Sequence, residues 1–127
     1  MIVVKTKLRE TKDKGIGLFA NEFLPKGTIW WKDSPDFDKI ITKEEYNLSS
    51  DLQKEFYKTY MFVKKDGTMY MCLDNARFIN HSNTPNTGNI GEDCLTLKDI
   101  QKNEELTCDY RDICEWCKDD LGFENKE

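Results

Sequence analysis

Turn signals interrupt this chain so often that no long regular element fits between them. Lys12-Asp13-Lys14-Gly15, Pro25-Lys26-Gly27, Pro35, Lys64-Lys65-Asp66-Gly67 and Gln101-Lys102-Asn103 carry the Gly, Pro, Asn and Asp residues that favour tight backbone reversals. The apolar segments between them are short and rich in β-branched and aromatic side chains, which predicts small strands joined by turns. Val3 and Val4 with Leu8 suggest an opening strand, Ile16-Gly17-Leu18-Phe19-Ala20 follows, and Thr28-Ile29-Trp30-Trp31 is a third. Met61-Phe62-Val63 and Met69-Tyr70-Met71-Cys72-Leu73 flank an Asp-Gly turn and predict a hairpin. Cys94-Leu95-Thr96-Leu97 and Glu105-Leu106-Thr107-Cys108 complete the strands. Residues 32–39 and Asn80 to Gly91 read as loops, the second long and polar enough to be a working loop.

One segment has helical periodicity. Thr42 with Glu45 forms a capping-box pattern, and Leu48, Leu52, Phe56 and Tyr60 then recur every fourth residue. The first three are expected to pack into the core, and the polar run Asn47 to Ser50 favours a split into two short helices.

At 127 residues one domain is expected. The chain is 34% charged, yet its Trp, Tyr and Phe content sets it apart from disordered chains. Lys5 interrupts the opening apolar residues, so neither a signal peptide nor a membrane span is expected, and a cytosolic or nuclear location follows. The odd number of cysteines, five, then points to reduced, mostly buried thiols. The net charge of -5 is concentrated in residues 109–127, where three basic side chains face seven acidic ones. Acidic surface disfavours nucleic acid and would draw in a basic peptide.

Gly15-Ile16-Gly17 with Ala20 nominally fits a dinucleotide-binding fingerprint, but no buried strand precedes it and Pro25 interrupts the required helix. Cys114-Glu115-Trp116-Cys117 has the spacing of half a zinc site or a redox pair. Cys72, Cys94, Cys108 and His81 show no second paired spacing, so no metal is expected and tail packing is the simpler use. The lone histidine, His81, has no adjacent Cys or Asp that would mark a nucleophile-base pair.

Taken together, Gly15-Ile16-Gly17, Arg77-Phe78-Ile79-Asn80-His81-Ser82 continuing to Pro85-Asn86, and Glu105-Leu106-Thr107-Cys108-Asp109-Tyr110 resemble the ordered motifs of the SET-domain protein lysine methyltransferases. Tyr60-Met61-Phe62 resembles a further, tyrosine-containing segment of that family. The resemblance implies a mainly β, β-clip-like fold with short helices, in which several small antiparallel sheets surround a C-terminal pseudoknot. The domain would span residues 1–113, leaving 114–127 as a short acidic tail.

The resemblance also implies transfer of a methyl group from S-adenosylmethionine to a lysine of a basic protein or peptide, histones included. Ile16 and Gly17 would offer backbone contacts to the cofactor, Asn80 and His81 would hold its amino group and adenine mainly through backbone atoms, and Arg77 would brace the knot. Tyr110 would direct its hydroxyl at the reacting groups while contacting the cofactor, and Tyr60 would line the lysine channel. The zinc-bound tail common in the family lacks its full cysteine set here, so Trp116, with Phe123 as a second candidate, is expected to cap the site. Cys108 replaces the Phe or Tyr often found two residues before the catalytic tyrosine, so the number of methyl groups added does not follow. A non-catalytic binding module of the same fold and a small zinc or redox protein are the alternatives, and a homodimer is compatible with the sequence.

Overall fold

The polar turn at Lys12 to Gly15 closes because Gly15 takes a φ of 71°, a left-handed conformation that glycine adopts without steric cost. It joins β1 (Thr6–Glu10) to β2 (Ile16–Ala20) in an antiparallel pair that sets Leu8 opposite Leu18. The computed structural model describes residues 1–113. Val3 and Val4 lie outside β1. Val3 instead donates its N–H to Trp30 O, and Ile2 forms a single bridge to Trp31, so the opening residues run beside the aromatic strand.

That strand, β3 (Ile29–Trp31), pairs with β9 (Asp93–Thr96), which pairs in turn with β8 (Thr87–Ile90). A second three-stranded sheet places β6 (Met69–Met71) between β4 (Lys39–Ile41) and β5 (Met61–Val63), and its β5–β6 arm is the expected Asp-Gly hairpin. These sheets and the β1–β2 pair are antiparallel; β7 (Asn80–His81) and β10 (Thr107–Cys108) form a parallel pair. The core gathers Leu18, Leu24, Trp30, Tyr70, Ile100 and Leu106, each nearly or fully buried. Burying one such aliphatic side chain contributes about 1.5–3 kcal/mol.

Between β4 and β5 the chain forms α1 (Lys43–Leu48) and α2 (Asp51–Tyr60), separated at Ser49 and Ser50. Thr42 caps α1 through Oγ1, which accepts from Glu45 N at 3.0 Å. The expected box is half-made, because the Glu45 carboxylate pairs with Lys39 at 2.8 Å instead of reaching back. The reciprocal box is at α2, between Ser50 and Gln53.

The apolar stripe does not pack inward. Leu48 and Leu52 are each 79% exposed and Phe56 is 42% exposed. The helix break takes only Leu48, the last residue of α1, off the stripe; Leu52 and Phe56 share α2 with Tyr60 and stay exposed because the packed side of that helix is the one carrying Tyr57 and Tyr60. Tyr46, Tyr57 and Tyr60 make the inward contacts instead, against Ile41, Met61 and Met71.

The segment from Asn80 to Gly91 is more regular than its composition suggests, because it contains β7 and β8. Residues 105–108 run between its two halves. On one side β10 pairs with β7, and Ser82 N donates to Cys108 O at 2.9 Å. On the other, Asn86 Nδ2 donates to Glu105 O at 2.7 Å, Thr107 N donates to Asn86 Oδ1 at 2.8 Å, and Thr87 Oγ1 donates to Thr107 O at 2.7 Å. The late strand is thus held on both flanks by residues 80–87, the expected knotted crossing. Its partners come from distant sequence, so local periodicity cannot reveal them.

Candidate functional site

Two groups of residues meet at β10. The first assembles around Gly17, where a Cβ atom would lie 2.6 Å from Glu105 Oε2 and 3.1 Å from Asn80 Nδ2. A side chain there would have to push the ends of the Glu105 and Thr11 side chains aside. Asn80 Nδ2 donates to Glu105 Oε2 at 2.8 Å and to Ile16 O at 3.2 Å. Both amide hydrogens are thereby engaged, and no hydrogen bond reaches Asn80 Oδ1 among the described residues.

Next to Asn80, both ring nitrogens of His81 are used. Nδ1 accepts from Tyr110 N at 3.0 Å, which leaves the hydrogen of the neutral ring on Nε2, 2.9 Å from Asn83 Oδ1. The His81 carbonyl accepts from Lys14 Nζ at 2.7 Å. The side chain is therefore an internal support.

The second group surrounds a cavity of about 410 Å³, a size typical of small-molecule sites. Tyr60, Phe62, Trp30, Trp31 and Tyr110 give it an aromatic wall. Tyr110 Oη donates to Ile79 O at 2.7 Å, so the ring is anchored at both ends, by its backbone to His81 and by its hydroxyl to β7's approach. The Tyr60 hydroxyl has no hydrogen bond among the described residues. Trp30 Nε1, Trp31 Nε1 and Arg77 Nε are buried donors without hydrogen-bond partners among the described residues, and all three residues line the cavity.

Arg77 lies 5.9, 5.2 and 5.3 Å from the ring centroids of Phe56, Tyr60 and Phe78. Those contacts put its cation against aromatic faces beside the cavity. The hydrogen bonds described at the knot come from the β7–β10 pairing and from Ser82, Asn86 and Thr87.

Cys72, Cys94 and Cys108 are free thiols on the cavity wall. Burial pushes the Cys94 thiol up to about 12 and holds Cys72 and Cys108 well above their ordinary value, so all three stay protonated near neutrality. The Asp109 carboxylate is held below its ordinary range, chiefly by hydrogen bonding to Arg111, whose Nη2 lies 2.8 Å away. No cluster of metal-binding side chains forms among the described residues. Cys114, Trp116, Cys117 and Phe123 lie outside them.

The structure thus divides the residues anticipated from sequence. Ile16, Gly17, Asn80 and His81 gather on one side of β10, while Tyr60, Arg77 and Tyr110 line the cavity. Sequence reasoning missed Glu105 and the tryptophan pair. Glu105 could have been suspected from its place at the head of the Glu105-to-Tyr110 motif, whereas Trp30 and Trp31 read simply as core strand residues.

A late strand held within an earlier loop, a bare glycine facing an asparagine, and a tyrosine on an aromatic cavity define a recognisable class. The chain belongs to the SET domain family, whose family model matches residues 15–111. SET domains generally serve as S-adenosylmethionine-dependent methyltransferases, lysine methyltransferases typical among them. No curated protein matches the chain.

Proposed function

We propose that this protein is a lysine N-methyltransferase that uses S-adenosylmethionine, with a basic protein, histones included, as substrate. The observation that carries the reading is Tyr110, whose backbone is bonded to His81, whose hydroxyl is bonded to Ile79 O, and whose ring faces a cavity shared with Tyr60.

The residues fit the cofactor's chemistry. The unpartnered Asn80 Oδ1 suits an ammonium donor, the side chain missing at Gly17 leaves backbone open to close approach, and an aromatic wall suits a sulfonium cation. Ile16, Gly17, Asn80 and His81 would hold the cofactor, with Tyr110 at its reactive end. When bound, it supplies an electrophilic methyl group.

The chain's own residues must deliver the lysine as a neutral amine. With a free lysine pKa of ~10.4, that costs about 4.6 kcal/mol at pH 7. An aromatic wall that excludes water disfavours the ammonium and offsets part of this cost. The hydroxyls of Tyr60 and Tyr110 then orient the amine, which is where an aligned displacement gains most of its rate. Acidic residues beyond 109 would draw in basic substrate. We propose residues 1–113 as the catalytic domain and 114–127 as its cap, with Trp116 over the cavity, because Asp112 and Ile113 already stand on the cavity wall. A cytoplasmic or nuclear setting suits such substrates.

Incubation with methyl-labelled S-adenosylmethionine and a panel of basic proteins tests the proposal. Label on a lysine is the expected result. Tight cofactor binding without transfer to any protein in the panel would favour a binding module of the same fold.

A further inference from the structure

A primary amide presents different chemistry on its two sides, two donors at nitrogen and two lone pairs at oxygen. At Asn80 both neighbours of the nitrogen, Glu105 Oε2 at 2.8 Å and Ile16 O at 3.2 Å, can only accept. Turning the amide over would set its oxygen against a carboxylate and a carbonyl, leaving three acceptors without a donor. The orientation is therefore dictated by chemistry rather than chosen. The charged member of the pair is Glu105, and a hydrogen bond to a carboxylate is about twice as strong as a neutral one. Gly17 admits that carboxylate, since a Cβ at this position would stand 2.6 Å from Glu105 Oε2.

We infer that Glu105 is a positioning residue. It fixes the Asn80 amide so that Oδ1 is presented, beside the β2 backbone, as an acceptor for a primary ammonium group of the ligand. The role rests on the cofactor reading proposed above, in which that ammonium is the α-amino group of S-adenosylmethionine. Glu105 acts through Asn80 and need not touch the ligand. Gln in its place keeps the shape but adds a donor, which removes the constraint on which way the amide faces.

The test is calorimetric titration of the full chain with S-adenosylmethionine and, separately, with the analogue lacking the α-amino group. In Glu105→Gln, affinity for the cofactor should fall about tenfold or more, the usual weight of a hydrogen bond to a charged group, while affinity for the deaminated analogue stays within about twofold. Equal losses for both ligands would mean that Glu105 is merely structural, and no loss for either would mean that it positions nothing; both outcomes overturn the inference. Glu105→Asp, which keeps the charge but withdraws the carboxylate from the Asn80 amide, gives a second variant and should show the same selectivity should Glu105→Gln fail to fold. The Asn80 side-chain amide resonances provide a readout without ligand. They should shift in Glu105→Gln, and unchanged signals would overturn the inference. Wild-type protein that binds neither ligand would defeat the methyltransferase reading, and the amide resonances would then decide the Glu105 assignment alone.

Discussion

Tyr110 and His81, 29 residues apart in sequence, are joined by a 3.0 Å hydrogen bond from the tyrosine's backbone N–H to the imidazole Nδ1. The bond uses main chain on one side and side chain on the other, so it holds Tyr110 in place independently of its hydroxyl. Tyr110→Phe should therefore retain the fold and the ring's position while losing the Oη bond to Ile79 O. Methyl transfer should fall nearly to background, with cofactor affinity within about threefold by calorimetry, because only an orienting group is gone. Transfer at the wild-type rate would remove Tyr110 from the mechanism.

Asn80→Ala should behave in the opposite way. It deletes the amide that bonds Ile16 O and Glu105 Oε2, leaving both acceptors unpaired beside Gly17. Cofactor affinity should fall about tenfold or more, with a stability loss of about 1–3 kcal/mol from the stranded acceptors. Calorimetry that finds unchanged affinity would refute the assignment of Asn80 to ligand binding.

The cavity thiols give a prediction in pH. Their ionisation is raised in the folded protein, from an ordinary value of ~8.5 to about 12 for Cys94, by burial. A group held neutral by folding contributes stability that is present below its unfolded pKa and is lost as pH rises through its folded one. Chemical denaturation should therefore show declining stability as pH climbs from about 8.5 toward 12. Alkylation at pH 7.5, read site by site by mass spectrometry, should leave Cys72, Cys94 and Cys108 largely unlabelled until the protein is unfolded. Fast labelling of any of the three in the native state would contradict the burial described.

The two leucines on the helical segment should be expendable for folding. Leu48→Ser and Leu52→Ser, each at a position 79% exposed, should change stability by less than about 0.5 kcal/mol in urea titrations. Leu106→Ala, at a fully buried position, should cost about 2–5 kcal/mol. A loss above about 1 kcal/mol at either surface leucine would show that the ridge is covered in solution.

Truncation after Ile113 addresses the proposed cap. Asn89 Nδ2 donates to Asp112 O at 2.9 Å, a contact this truncation preserves, so the shortened protein should fold. Its transfer activity should drop sharply, because a cavity open to water solvates the lysine ammonium. A shortened protein as active as the full chain would exclude Trp116 and Phe123 from the site.

What the sequence discloses follows the range of the interactions involved. The Asp-Gly hairpin, the turn ending at Gly15 and the division of the helical segment are set by neighbouring residues, and they are where the pattern places them. The strands hidden in residues 80–90 are stabilised by partners at 93–96 and 107–108, which no local period encodes. The outward stripe of Leu48, Leu52 and Phe56 misleads for a related reason, since spacing identifies a face but not what lies opposite it. For the candidate site, ordered motifs nominated Gly17, Asn80, His81 and Tyr110. The pairing of Asn80 with Glu105 needs coordinates, because it depends on which amide atom faces the carboxylate.

The enclosed stretch at 105–108 has a further consequence in time. A chain made from its N-terminus has residues 80–87 in hand well before the residues they must enclose, so on the ribosome the loop waits for its content. Neither the Asn80–Glu105 pair nor the Tyr110 anchor can exist in a nascent chain that stops short of residue 105. Synthesis must therefore pass residue 110 before either contact can form, and a chain ended earlier lacks both.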